Sequence, residues 1–124
     1  MRMRITVRER EFLRNMFGGR CAYCGSLLPE REWHADHIES IYQLNGSASR
    51  SNTDNRNNLF PSCRACNLFK SVYSIEAWRK EIKSQVERAR KRSFNFRTAE
   101  RFGLISETYR PVIFYFERVR DGAA

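Results

Sequence analysis

The sequence predicts a small α+β domain stapled by a metal ion, and three observations carry that prediction. Two Cys-x-x-Cys pairs, Cys21 with Cys24 and Cys63 with Cys66, flank a run of strand character over residues 32–38. A helix start follows the second pair at once. Beyond it, apolar residues recur at helical spacing, and a β-rich run lies near the C-terminus. At 124 residues a single domain, 1–124, is expected, of a size that folds more readily with a staple.

The elements follow in order. Thr6 and Glu9 form a capping box that opens a helix over about 6–17, with Phe12, Leu13, Met16 and Phe17 as its apolar face and Gly18-Gly19 as its stop. A core over about 19–72 begins with the knuckle Cys21-Ala22-Tyr23-Cys24, whose tight turn Gly25 completes. The strand over 32–38 ends at the pair Asp36-His37. Residues 43–57 are rich in Ser, Asn, Gly and Arg, too long and polar for a core element, and read as a loop. Asn58-Leu59-Phe60-Pro61 leads into the second knuckle, and a short helix runs from near Arg64 through Lys70. A basic helix and a strand occupy about 74–119. Ser74 caps the helix, which extends to about Arg92 with the stripe Ile75, Trp78, Ile82, Val86 and Ala89 toward the core. Residues 94–103 suggest a turn and short helix. Residues 111–117 are apolar on both faces and read as a covered strand. No internal repeat or second domain is evident.

Composition narrows the setting. Lys and Arg number 23 against 14 acids, a formal charge of +9, so a polyanion is the natural partner. No stretch has the length of a membrane span, and the first residues lack the apolar run of a secretion signal. A cytoplasmic setting without membrane association is therefore expected. Thiols stay reduced there, which disfavours disulfides and favours zinc. Four thiolates from two knuckles make a closed tetrahedral site with no position for water, one that stabilises a fold and does not catalyse.

His34-Ala35-Asp36-His37-Ile38, then Asn58-Leu59, then Cys63-x-x-Cys66-Asn67-x-x-Lys70 resembles the HNH endonucleases. Asn67 stands at a motif position often held by histidine, giving an H-N-N variant similar to the HNH domain of the RNA-guided CRISPR nucleases. The match spans about Cys21 to Lys70. The resemblance implies a ββα-metal (His-Me finger) core, here with the four-cysteine zinc. It also implies roles. Asp36 and the Asn67 side-chain oxygen would ligate a hard divalent ion, Mg²⁺ or Mn²⁺. His37 would be the general base that deprotonates the attacking water. Asn58 would brace the loop and hold His37. Lys70, one helical turn from Asn67, would face the phosphate, support the groups around the ion, or be only a surface charge. His34 shares a strand face with Asp36 by alternation, so it is either a contact to phosphate or to the groups around the ion, or a packing histidine. Trp33 and Tyr23 read as core residues. Taken singly, an Asp-His pair is an ordinary strand end and an Asn before a knuckle serves a turn; their joint placement against the cysteine frame favours the catalytic reading.

Two departures concern the path between the strands: Glu39-Ser40-Ile41-Tyr42 replaces the proline common after the Asp-His pair, and the loop before Asn58 is longer than in compact members. The C-terminal portion resembles the tails of small stand-alone HNH proteins of bacteria and phages. The resemblance and the basic surplus together imply cleavage of double-stranded DNA, with the metal-bearing element at the minor groove and one strand nicked per site. No recognition helix predicts a base sequence, and no aromatic platform favours RNA. The rival readings are a zinc-stabilised DNA-binding module without catalysis, and an accessory nuclease subunit that needs a protein partner, as in phage DNA packaging. A monomer is favoured.

Overall fold

The computed structural model describes residues 4–39 and 56–122, which form α1 (Val7–Asn15), β1 (Trp33–His37), β2 (Leu59–Cys63), α2 (Arg64–Lys70), α3 (Ile75–Lys83), α4 (Gln85–Arg92), α5 (Phe94–Arg101) and α6 (Tyr115–Arg120). They divide into two compact units. One comprises the described residues up to Ile75 together with those from Ile113; the other is Glu76–Val112.

The first unit is built around an antiparallel pair. β1 and β2 align Trp33 with Cys63, Asp36 with Phe60 and His37 with Leu59, and α2 starts where β2 ends. This is the ββα arrangement expected from the sequence. The capping box forms as written: Thr6 Oγ1 accepts from the Glu9 amide at 3.1 Å, and the Glu9 carboxylate accepts from the Thr6 amide at 3.0 Å. α1 is tied to the strands by Arg10, which donates to the Trp33 carbonyl at 3.0 Å and lies 4.0 Å above its ring. Of the expected apolar face of α1, Leu13 is buried whereas Phe12 is 71 % exposed.

The C-terminal run is not a strand. Residues 111–114 are extended and α6 begins at Tyr115. The reason is local: the Glu117 carboxylate accepts from the Phe114 amide at 2.9 Å, starting a helix where β propensity alone favours extension. The segment nonetheless joins the core through Phe114, while Ile113 is exposed, so it is not covered on both faces. Tyr115 and Phe116 amides donate to the carbonyls of Tyr23 and Ala22 at 3.0 and 2.8 Å. Phe114 and Phe116 then join Tyr23 and Phe60 in a cluster of rings whose centroids lie 4.9–6.3 Å apart.

In the second unit, the single helix expected to about Arg92 is two helices meeting at Ser84. The Ser84 hydroxyl and the Gln85 amide both donate to the Glu81 carbonyl, at 2.9 and 2.7 Å, side-chain competition that interrupts a helix. Of the expected stripe Trp78 is fully buried, while Ile75, Ile82, Val86 and Ala89 are half-buried. α5 lies within the predicted 94–103. Arg90 of α4 pairs with Glu100 near the end of α5 and with Glu107 beyond it, at 2.8 Å each. Of the stretch 43–57, residues 43–55 lie outside the described residues, and Arg56–Asn58 is a 3₁₀ turn leading into β2. Among the described residues no helix is long and apolar enough to cross a membrane.

Candidate metal centre and catalytic cluster

The two knuckles are brought together by backbone bonds. Ala22 donates to the Pro61 carbonyl of β2 at 2.9 Å, so the first knuckle is fixed against the strand that carries the second. Within each knuckle an amide faces a sulfur: Tyr23 N–H on Cys21 and Cys66 N–H on Cys63, both at 3.4 Å. Gly25 turns the chain after Cys24 at φ +79°, where an added Cβ would lie 2.9 Å from the Tyr115 ring. The Sγ atoms of Cys21, Cys24, Cys63 and Cys66 all lie within 4.8 Å of one another. Cys24 and Cys63 are 3.8 Å apart, which is about the edge of a tetrahedron with metal–sulfur bonds of ~2.3 Å.

The thiols perturb one another as a ligand set does. The bond from Cys66 pulls Cys21 down to about 4. That same bond, with burial, pushes Cys66 up, and burial pushes Cys63 up. Cys21 thus ionises readily while Cys63 and Cys66 hold protons that a bound divalent cation would displace. The four cysteines are positioned to hold a metal ion.

One turn of helix away lies a second cluster, centred on the buried carboxylate of Asp36. Its Oδ2 accepts from the Tyr23 hydroxyl at 2.5 Å and pairs with Lys70 Nζ at 3.1 Å. Its Oδ1 accepts from Asn67 Nδ2 at 3.2 Å. A buried carboxylate needs such donors, and here three side chains from the knuckle and α2 supply them. Lys70 Nζ also donates to the His37 carbonyl at 2.8 Å, tying the strand end to the helix. Burial and the Asp36 charge push the Tyr23 hydroxyl far above its ordinary range, so it stays protonated and donates.

Asn58 acts on the backbone just past His37. Its Oδ1 accepts from the Glu39 amide at 2.9 Å, its Nδ2 donates to the Glu39 carbonyl at 2.8 Å, and its own carbonyl accepts from Ile38 at 2.9 Å. The side chain copies a strand partner for Glu39, and the backbone carbonyl does the same for Ile38. His37 is half-buried at the end of β1.

The sequence-predicted residues therefore gather as Asp36, Asn67 and Lys70 in one network, with His37 and Asn58 beside it. His34 does not join them; it is exposed on β1, where the burial pattern departs from simple alternation. Lys70, read as a phosphate contact, a support for the groups around the ion or a surface charge, is fully buried against Asp36. The residue that sequence reasoning passed over is Tyr23. The signal was present: a buried tyrosine needs a partner for its hydroxyl.

Residues 21–72 match the family model of the HNH endonucleases. The chain carries an HNH endonuclease domain. No curated protein and no solved structure matches the chain at a significant level. The matched span of this HNH domain contains all four cysteines, both strands and α2, and it ends two residues beyond Lys70. That match makes nuclease chemistry the activity to test.

Proposed function

We propose that this HNH domain is a metal-dependent endonuclease that nicks double-stranded DNA by hydrolysing a phosphodiester. The observation that carries the reading is the convergence of Asp36, Asn67 and His37 at the junction of β1 and α2, beside the thiol cluster. His37 serves as general base, since histidine is the side chain that most readily takes a proton near neutral pH. Asn58, through its bonds to Glu39, holds the backbone that carries His37, so the imidazole meets the water in a fixed position.

Cys21, Cys24, Cys63 and Cys66 hold zinc, whose closed four-thiolate site keeps β2, α2 and the knuckle in register. Asp36 and Asn67 hold Mg²⁺ or Mn²⁺, to which all-oxygen ligands are suited. When bound, that ion supplies positive charge against the charge developing on the phosphate and the leaving 3′ oxygen. The Asn67 amide nitrogen now faces Asp36, so ligation through its oxygen requires the amide to turn over.

DNA supplies the polyanion that the +9 charge calls for. Arg79, Arg88 and Arg90 are engaged with Glu76, Glu81 and Glu100. The exposed Lys80, Lys83 and Arg92 are therefore the better phosphate contacts on the helical unit. The test is relaxation of supercoiled plasmid by zinc-loaded protein with Mg²⁺ or Mn²⁺, beside His37→Ala and an EDTA control. Metal-dependent nicking that vanishes in zinc-loaded His37→Ala supports the reading. DNA binding without nicking by the zinc-loaded wild type would refute it for the isolated chain and favour a binding module or a partner-dependent subunit.

A further inference from the structure

The two oxygens of Asp36 are not equivalent. Oδ2 is held by Tyr23 and by Lys70, both buried, at 2.5 and 3.1 Å. Among the described residues Oδ1 has the longer bond from Asn67 alone, at 3.2 Å, and that amide can turn over. Lys70 is itself fixed at its far end by the His37 carbonyl, and Tyr23 by the metal knuckle and the ring cluster around Phe60 and Phe114. Neither clamp can withdraw without unmaking the core.

We propose that Tyr23 and Lys70 are positioning residues that reserve Oδ2, making Asp36 a ligand through Oδ1 alone and biasing the site toward small octahedral ions over calcium. The inference rests on the reading of Asp36 as a ligand of the catalytic ion. Calcium takes six to eight oxygens at about 2.3–2.6 Å and gains from carboxylates that present both oxygens, whereas Mg²⁺ or Mn²⁺ accepts one oxygen per carboxylate and fills its octahedron with water. With Oδ2 occupied, the larger ion loses a ligand and the smaller one loses nothing. The fixed Lys70 charge also weakens binding of every cation here, so the bias shows in the ratio of affinities rather than in either one.

The test is calorimetric titration of the zinc-loaded full chain with MnCl₂ and with CaCl₂, for wild type, Tyr23→Phe, Lys70→Met and Asp36→Ala. Zinc content and far-UV circular dichroism verify the fold of each. Wild type is expected to bind Mn²⁺ at least tenfold more tightly than Ca²⁺. Tyr23→Phe, which removes one oxygen and keeps the ring, is expected to narrow that ratio at least threefold through tighter Ca²⁺ binding. Lys70→Met should tighten both ions and narrow the ratio further. An unchanged ratio in folded Tyr23→Phe, with Mn²⁺ binding abolished in Asp36→Ala, overturns this inference and leaves the ligand assignment standing. Mn²⁺ binding that survives Asp36→Ala overturns the assignment itself.

Discussion

Replacing Lys70 by methionine separates two accounts of this lysine by the size of the effect. An exposed lysine facing a phosphate would change stability by no more than about 0.5 kcal/mol when replaced. The side chain here is 0 % exposed and its partner Asp36 7 %. Methionine fills nearly the same volume, so lost packing contributes little. What remains is a buried carboxylate stripped of its counter-charge, and breaking such a pair costs about 3–5 kcal/mol. Tyr23 and Asn67 still donate to Asp36, which places the expectation near the lower end, ~3 kcal/mol, a fall in Tm on the order of 10 °C. The assay is urea unfolding at fixed saturating zinc, so that metal linkage is constant across variants. Combining Lys70→Met with Asp36→Asn removes both charges and should cost less than the sum of the two single changes by at least ~1.5 kcal/mol. A loss under 1 kcal/mol in the single variant, or strict additivity in the pair, would refute the buried-pair account.

Other consequences can be checked alongside. Gly25→Ala places a methyl group 2.9 Å from the Tyr115 ring at φ +79°; it should destabilise the zinc-loaded protein by about 1–3 kcal/mol in the same assay. Asn58→Ala removes both bonds to the Glu39 backbone; kcat for plasmid nicking should fall at least tenfold while zinc content stays at the wild-type level. Arg90 holds the Glu100 carboxyl below its ordinary range, chiefly through their hydrogen bond. A lowered folded value means the contribution is complete above the ordinary glutamate value of about 4.3 and is lost as pH falls through the lowered one. Hydrogen exchange should therefore show α4 and α5 loosening below that range in wild type, and already loosened at neutral pH in Arg90→Ala.

The relation between sequence and structure is clearest where local chemistry decides the outcome. The capping box at Thr6, the start of α2 after Cys63 and the run of β1 up to His37 depend on nearest neighbours and were legible for that reason. So was the thiol cluster, because a Cys-x-x-Cys spacing fixes each knuckle and only the pairing of the two is left to the fold. The break at Ser84 was also local, yet hidden: the apolar stripe continues through it, and only the competition for the Glu81 carbonyl interrupts the helix. The C-terminal run shows the limit of propensity. Its apolarity predicted burial only in part, since Phe114 is buried while Ile113 is exposed, and whether residues 114–117 extend or coil was set by the Glu117 bond and by docking against the first knuckle.

The sequence by itself determined the residue types of the candidate site, their order and the positions they occupy along the chain. It could not determine which polar atoms meet, because Tyr23, Asp36 and Lys70 are brought together by the closing of knuckle, strand and helix. A lysine one turn beyond Asn67 is compatible with facing solvent or the interior. Tertiary packing chose the interior, since the buried Asp36 carboxylate requires a counter-charge and Lys70 supplies it at 3.1 Å. That choice made Lys70 a support for the carboxylate rather than a phosphate contact or a surface charge, and made a knuckle tyrosine part of the same network.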